Sequence, residues 1–343
     1  MRFSTIAVAA AATAVQAQRS TDMPICDYYT TALLKNNTAE NQATLLTLLV
    51  NTVVIGNYTM PNVGVSVPGI LKEGEVDGTM VNLLPYFSGG LASTNRGDKA
   101  TCVNFLDGGA AEPLMKNKPA NDETSNQYFL LTHLYQFFGT LLGCSKQGMT
   151  GFDAYGGDPS MYKVHKFMNL GKAEMGYFIT QVGMAAASFG VAKDDITIVA
   201  NALGDTFNMR CSAPAEVIKG QGPQPQAICI KSDCTEAKDP KCDAYSEAVA
   251  PAKCNGTSSS MTGTMTGTMT GSATGTMTGS MTGSMTGSMT GSMTGSMTGS
   301  MTGSATSSAG SSPTSTAPAS GGAGNVNNFG LAAVIAAAAA YAL

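Results

Sequence analysis

All charged residues of this 343-residue chain lie in its first 253 positions, and Lys253 is the last of them. From Met261 to Gly303 the chain repeats Met-Thr-Gly-Ser or Met-Thr-Gly-Thr, with no aromatic side chain. Such a segment buries too little apolar surface to offset the backbone entropy lost on folding. We therefore predict that residues 255–320 form a low-complexity, disordered or O-glycosylated stalk. Regularly spaced thioethers also suit Cu(I), which leaves a copper-binding stalk as an alternative.

Both ends of the chain have features of secretory targeting. Residues 1–17 combine Arg2, an apolar run and small residues near Ala17, which predicts a cleaved signal peptide. Residues 321–343 begin with small residues and end in an apolar run that starts at Phe329. As a helix this run spans about 22 Å, less than the roughly 30 Å hydrocarbon core of a bilayer. We predict a GPI-attachment tail and a cell-surface location, with a short membrane anchor as the alternative.

The cysteines and sequons fit the same route. The chain has eight cysteines, an even number that predicts four disulfides without fixing their connectivity. Four of them fall within residues 223–254, which we interpret as a Cys-rich connector. Sequons begin at Asn36, Asn57 and Asn255, and all three are expected to face solvent and carry glycans.

Charge and motifs disfavour several function classes. The formal net charge is -4 and the basic residues form no cluster, so nucleic acid is not an expected partner. A Gly-rich phosphate loop, a His-Glu zinc helix and a serine nucleophile elbow are all missing from the sequence. We interpret the Arg96-Gly97-Asp98 triplet as a glycine turn on a loop. A cell-adhesion motif is the alternative. We interpret the Asp194-Asp195 pair as the cap of a helix. The alternative is that the two carboxylates act together as a functional pair.

Residues 22–215 are the only segment able to build a sizeable core, and their apolar pattern is mainly helical. A loop-rich stretch at residues 57–122 interrupts the pattern, with one apolar patch at residues 83–87. The predicted helices cover residues 38–55, 124–142, 158–171, 172–189 and 194–209.

The chain contains only two histidines, His133 and His165, and both fall inside predicted helices. His133 shares a helix face with Leu130, Phe137 and Leu141, while His165 shares one with Met161 and Met168. Each imidazole is therefore expected to face the core, where it needs partners for its nitrogens. A haem iron could bind each imidazole; an ordinary core histidine bonded to a carbonyl or hydroxyl is the alternative.

A series of motifs between Leu131 and Cys211 resembles the truncated (two-over-two) haemoglobins. The motifs are FFGTLLGC at 137–144, Tyr-Gly-Gly at 155–157, Met161 and His165 four residues apart, Tyr-Phe at 177–178 and FGVAKDD at 189–195. The resemblance is best over residues 124–211. It implies an all-α, globin-like two-over-two helical sandwich with loop-rich insertions, followed by the disordered stalk.

The resemblance also implies a haem b site. His165 would be the proximal iron ligand and His133 would occupy or face the sixth iron position. Phe87 would pack on the porphyrin from a C-helix region at residues 84–88. The remaining expected haem contacts are Phe137, Met161, Met168, Leu134 and Phe178.

This reading predicts a function at the cell surface. The protein would bind O2 or NO, or would transfer electrons, and an NO dioxygenase or peroxidase-like side activity is left open. Its partners would be haem, a diatomic gas or redox partner, and the membrane through a GPI lipid. The alternative is a cofactor-free GPI-anchored surface or adhesion protein with a helical ectodomain. The sequence leaves the oligomeric state open.

Overall fold

A computed structural model of the chain describes residues 19–60 and 62–254. The predicted signal peptide (1–17), stalk (255–320) and GPI tail (321–343) lie outside the described residues. The helices are α1 (Ile25–Leu34), α2 (Ala39–Ile55), α3 (Leu84–Phe87), α4 (Ala111–Leu114), α5 (Asn126–Leu141), α6 (Met161–His165), α7 (Lys172–Ser188) and α8 (Lys193–Phe207). The strands are β1 (Gly74–Val76), β2 (Thr79–Val81), β3 (Ala92–Arg96) and β4 (Lys99–Cys102), and a 3-10 turn covers Cys242–Ala244.

Four of the predicted helices are present within one or two residues of their expected ends. These are α2, α5, α7 and α8. Polar caps explain two of the starts, because Thr38 accepts a hydrogen bond from the Asn41 amide at 3.2 Å and Ser125 accepts one from the Tyr128 amide at 3.1 Å. Gly56 ends α2 at a φ of 86°, a conformation that glycine adopts without strain.

Helix α2 lies at the centre of the core and packs against α1, α5 and α7, while α7 also packs against α8. Leu46 of α2 and Ala185 of α7 are completely buried. A buried polar pair fixes the contact with α5, because the Tyr135 hydroxyl donates to Asn51 Oδ1 at 2.6 Å. Two apolar helix faces and one satisfied hydrogen bond thus set how α2 and α5 meet.

The all-α prediction is wrong in one respect: the chain is mostly helical but also has two small antiparallel sheets. Both lie in the stretch predicted as loop. Strands β1 and β2 turn at Asp77-Gly78, and β3 and β4 turn at Gly97-Asp98. All four turn residues have positive φ, as two-residue hairpins require. The Asp-Gly dipeptide is a sequence signal for a hairpin, and the prediction of a loop-rich stretch did not take it into account.

Helix α6 is also shorter than predicted. The expected helix ran from Asp158 to Gly171, whereas α6 covers only Met161–His165. Ser160 is its cap and accepts a hydrogen bond from the Lys163 amide at 3.2 Å. The Asp158 side chain instead accepts from the Ser160 amide at 3.0 Å, which holds the chain in a turn before the helix.

Four disulfides pair all eight cysteines, and no cysteine is free. The pairs are Cys26–Cys144, Cys102–Cys254, Cys211–Cys242 and Cys229–Cys234. This pairing is compatible with an extracellular protein. Among the described residues, no helix combines the length and apolar character needed to cross a bilayer.

The segment expected to be a connector, 223–254, packs against the helices as part of the same compact unit. Cys229 is completely buried, and its amide donates to the Phe207 carbonyl at 3.0 Å. At the end of the segment, the Ala92 amide donates to the Ala252 carbonyl at 2.8 Å. Its four cysteines form one disulfide within the segment, one to Cys211 after α8 and one to Cys102 in β4.

Candidate functional site

His133 lies in the middle of α5 and is half-buried. Its ring packs edge-on against the Tyr155 ring, with the centroids 6.0 Å apart. Burial lowers the pKa of His133, which favours the neutral imidazole with a lone pair on one nitrogen. Neither ring nitrogen has a hydrogen-bond partner among the described residues.

His165 is the last residue of α6, whose position is fixed by hydrogen bonds to the C-terminal segment. The Ser160 hydroxyl donates to the Pro225 carbonyl at 2.7 Å, and the Met161 amide donates to Gln226 Oε1 at 3.1 Å. Gln226 is itself buried and donates back to the Pro159 carbonyl at 2.9 Å. The short helix therefore has a rigid start, which orients the ring at its end.

One hydrogen bond determines which nitrogen of the His165 ring carries the proton. Its Nδ1 lies 2.7 Å from the Met161 carbonyl oxygen, and because a carbonyl only accepts, Nδ1 must carry the proton. The lone pair is then on Nε2. Burial lowers the pKa of His165, although the bond to Met161 opposes this, so the ring is neutral.

His165 Nε2 has no hydrogen-bond partner in the part of the chain that the structure describes. The His165 residue as a whole is half-buried. A neutral imidazole held at Nδ1 by a carbonyl, with Nε2 open, is the usual arrangement of a histidine that binds a metal.

The other residues expected to contact haem fall into three groups: the aromatic residues Phe137 and Phe178, the methionines Met161 and Met168, and the pair Phe87 and Leu134. Phe137 is buried between Tyr155 and Phe207, at centroid distances of 5.3 and 6.0 Å. Phe178 packs against Phe138 at 6.5 Å. Met161 is buried and Met168 is half-buried, with both lying on the core side of the His165 segment.

Phe87 and Leu134 form the third group and line one small cavity together with Leu130. Its volume is about 10 Å³. A pocket for a ligand of drug size needs roughly 300–1,000 Å³, so this cavity cannot hold a porphyrin. Burial raises the pKa of the neighbouring Tyr86, and the Glu174 charge adds to the effect, which places α3 near the start of α7.

The β3–β4 hairpin links the two helices that carry the histidines. The Arg96 guanidinium donates to Asn126 Oδ1 at 3.1 Å, at the start of α5. On the other side, Asn95 donates to the Lys163 carbonyl at 2.7 Å and Lys166 pairs with Asp98 at 2.6 Å. The side chains of the Arg-Gly-Asp triplet thus have partners within the protein. Sequence reasoning missed this link because the partners are 30 to 68 residues apart.

Within the described residues, no three His, Cys, Asp or Glu side chains are close enough to hold an ion. A haem iron needs only one or two protein ligands, since the porphyrin supplies four. His133 and His165 are the imidazoles available for that role, and haem binding stays a prediction. The apolar residues form separate contacts, and only Phe87 and Leu134 share one cavity.

The sequons differ in their surroundings. Asn36 is exposed, as expected for a glycosylated residue. Asn57 is half-buried, and its Oδ1 accepts a hydrogen bond from the Val67 amide at 2.6 Å. Asn255 lies outside the described residues.

Comparisons with known proteins give no relative from which a function of the site could be inferred. No protein-family model, curated protein or solved structure matches the chain. The resemblance to truncated haemoglobins therefore stays a prediction from the motifs between Leu131 and Cys211.

Proposed function

We propose that this protein is an extracellular haem-binding protein of globin-like type and that His165 is its iron ligand. One observation carries the proposal: His165 Nδ1 is held by the Met161 carbonyl at 2.7 Å, and the lone pair on Nε2 has no hydrogen-bond partner among residues 19–60 and 62–254. Ligand histidines are oriented in this way by a hydrogen bond from the other ring nitrogen. Burial keeps the imidazole neutral, as iron binding requires.

His133 is the candidate for the opposite face of the iron. It is half-buried and neutral, and its only ring contact among the described residues is the edge of Tyr155. Tyr155 is tied down because its hydroxyl donates to the Asp158 carbonyl at 3.0 Å.

When bound, the haem iron would supply either exchange of a diatomic ligand or a reversible change between Fe(III) and Fe(II). The protein would supply orientation and exclusion of water. The Met161 carbonyl would fix the His165 ring, and the Phe137 and Phe178 side chains would provide apolar surface. Four disulfides would hold these helices together outside the cell, and the stalk and GPI tail would hold the domain at the membrane surface.

Haemin titration of the secreted protein tests the proposal. We expect a sharp Soret band at one equivalent, and the variant His165→Gln should lose it. Lys163→Gln changes an exposed residue of the same short helix and should keep the band. His133→Leu should retain haem but accelerate CO binding to the ferrous form, if His133 occupies the sixth position. A folded protein that stays colourless, or a band unaffected by His165→Gln, would refute iron binding at His165.

A second candidate function is a cofactor-free surface protein with both histidines in the core. It is favoured by the close contacts of Phe137 with Tyr155 and Phe207, and by the roughly 10 Å³ left between Phe87 and Leu134. In that case haemin should give only a weak, unsaturable spectrum. His165→Gln should then alter the free energy of unfolding and nothing else.

A further inference from the structure

Methionine is exposed far more often than the other large apolar residues of this protein. Residues 19–60 and 62–254 contain ten methionines, and five of them are exposed, by 44% to 72% of their surface. The five are Met23, Met60, Met80, Met115 and Met149. Among all leucines, isoleucines, valines and phenylalanines of the same residues, only four are exposed. The rule that large apolar side chains enter the core therefore holds for those four residue types and fails for methionine.

Several of the exposed methionines are held in place through their backbones. Met80 lies in β2, which pairs with β1. The Met115 amide donates to the Ala111 carbonyl at 3.0 Å, and the Met149 carbonyl accepts from the Phe152 amide at 3.0 Å. A chemical change at the thioether of such a residue leaves these backbone hydrogen bonds intact.

Met161 and Met175 are the opposite case, because they are buried in the core with exposures of 6% and 4%. Oxidation to the sulfoxide converts an apolar side chain into a polar one. In the core, the new oxygen would be a buried polar group without a partner, at a cost of about 1–3 kcal/mol. At an exposed methionine the same oxygen is hydrated. Oxidation is therefore compatible with the fold at the five exposed positions and unfavourable at Met161 and Met175.

Few other side chains compete with the thioethers for an oxidant. All eight cysteines are paired in disulfides, so no thiol is available. The sequence also contains no tryptophan. The exposed thioethers are therefore the groups of this domain that a peroxide is expected to oxidise first.

We propose that the five exposed methionines are oxidation sites through which the secreted protein scavenges peroxide. In each step the thioether sulfur gives two electrons to the peroxide and its O–O bond breaks. One oxygen atom binds the sulfur as a sulfoxide, and the other leaves as water. One domain consumes five peroxide molecules in this way and keeps its fold. The proposal is independent of haem binding at His165.

Peptide mapping by mass spectrometry, after treatment of the whole secreted protein with hydrogen peroxide and without added haemin, tests each methionine separately. The five exposed methionines should gain oxygen at least about tenfold faster than Met161 and Met175. The far-ultraviolet circular dichroism should be unchanged when all five are oxidised. The map also separates these sites from the methionines of residues 261–303. Oxidation of Met161 or Met175 as fast as the exposed set, or a loss of dichroism in step with the fast reaction, would overturn the proposal.

Met80→Leu and Met175→Leu form a matched pair, since each removes one thioether and keeps an apolar side chain of similar volume. Met80→Leu should lower the peroxide consumed in the fast phase by one molecule per chain, whereas Met175→Leu should leave it unchanged. Replacing all five exposed methionines by leucine should lower it by five. An unchanged consumption in Met80→Leu, equal decreases in the matched pair, or a decrease below four in the fivefold variant would contradict scavenging by the exposed set.

Discussion

The Arg19 guanidinium and the Asp195 carboxylate form an ion pair at 2.7 Å, which ties the start of the described chain to the first turn of α8. Both side chains are nearly buried, with exposures of 10% and 8%. The Tyr29 hydroxyl donates to the second Asp195 oxygen at 2.8 Å and accepts from the Ala192 amide at 2.9 Å. Asp195 thus binds the N-terminal segment and α1, and does not act as the helix cap that its position suggested.

Arg19→Gln should lower the free energy of unfolding by about 3–5 kcal/mol, because it leaves a buried carboxylate without its cation. Urea denaturation followed by circular dichroism measures the loss. Arg96→Gln is the control: this exposed arginine has one hydrogen bond, to Asn126, and its replacement should cost about 0.5 kcal/mol or less. Equal losses in the two variants would mean that the Arg19–Asp195 pair contributes no more than a surface contact.

Gly69→Ala should destabilise the protein far more than Gly220→Ala. Both glycines have φ near +85°, so an alanine at either position costs about 1–2 kcal/mol because its backbone must adopt the left-handed conformation. A Cβ at Gly69 would also lie 2.4 Å from the Gly56 amide nitrogen, whereas one at Gly220 meets nothing within 4 Å. We expect an additional loss of about 1–3 kcal/mol at Gly69 from this overlap. Thermal unfolding of the two variants measures the difference, and similar melting temperatures would contradict the close approach of residues 56 and 69.

The Cys26–Cys144 and Cys229–Cys234 disulfides should differ in their contribution to stability. All four cysteines are buried, but the sequence separations are 118 and 5 residues. In the chain-entropy description, closing the long loop contributes about 5 kcal/mol and closing the short one about 2 kcal/mol. Paired Cys→Ala variants compared by denaturant unfolding should show this order. The reverse order would mean that local packing, and not loop closure, sets their contributions.

Glu174 should make the protein less stable in acid. Burial by itself raises its pKa. The hydrogen bond from Lys231 and bonds from the backbone together lower the pKa by more than burial raises it, so the pKa in the folded protein lies below the ordinary value of 4.5. The unfolded chain therefore takes up a proton first, and this contribution is present above pH 4.5 and lost as the pH falls through the folded pKa. Glu174→Gln should make stability less dependent on pH below 4.5. A stability profile as steep in Glu174→Gln as in the unchanged protein would remove Glu174 from the acid response.

The long helices could be predicted because their apolar residues recur with the helical period and their ends carry local signals. Ser125 and Gly56 are examples: one caps α5 and the other ends α2. The two hairpins escape prediction although Asp77-Gly78 is a strong turn signal, because strands of three to five residues carry almost no periodicity. The predicted helix 158–171 is longer than α6 because the apolar pattern continues to Leu170, whereas the helical hydrogen bonds do not.

The site residues stay a prediction. The chain contains two histidines, whose helical spacing predicted rings that face the core, and the structure shows both residues as half-buried. The hydrogen bond from His165 Nδ1 to the Met161 carbonyl matches the alternative prediction of a core histidine bonded to a carbonyl. A cleft lined by Arg210, Cys211 and Ile230 had no signal in the sequence, because its walls come from segments that are distant in the sequence and are joined by the Cys211–Cys242 disulfide.

The sequence by itself determined where a core can form, which segments are helical, and that the cysteines are even in number. These are properties of composition and short-range periodicity, and they need no knowledge of distant contacts. Only the tertiary structure decided which cysteines pair, that residues 223–254 join the helical unit, and that Arg19 reaches Asp195. Such contacts depend on side chains separated by many residues, and their energies are set by burial and hydrogen bonding that exist only once the chain has folded.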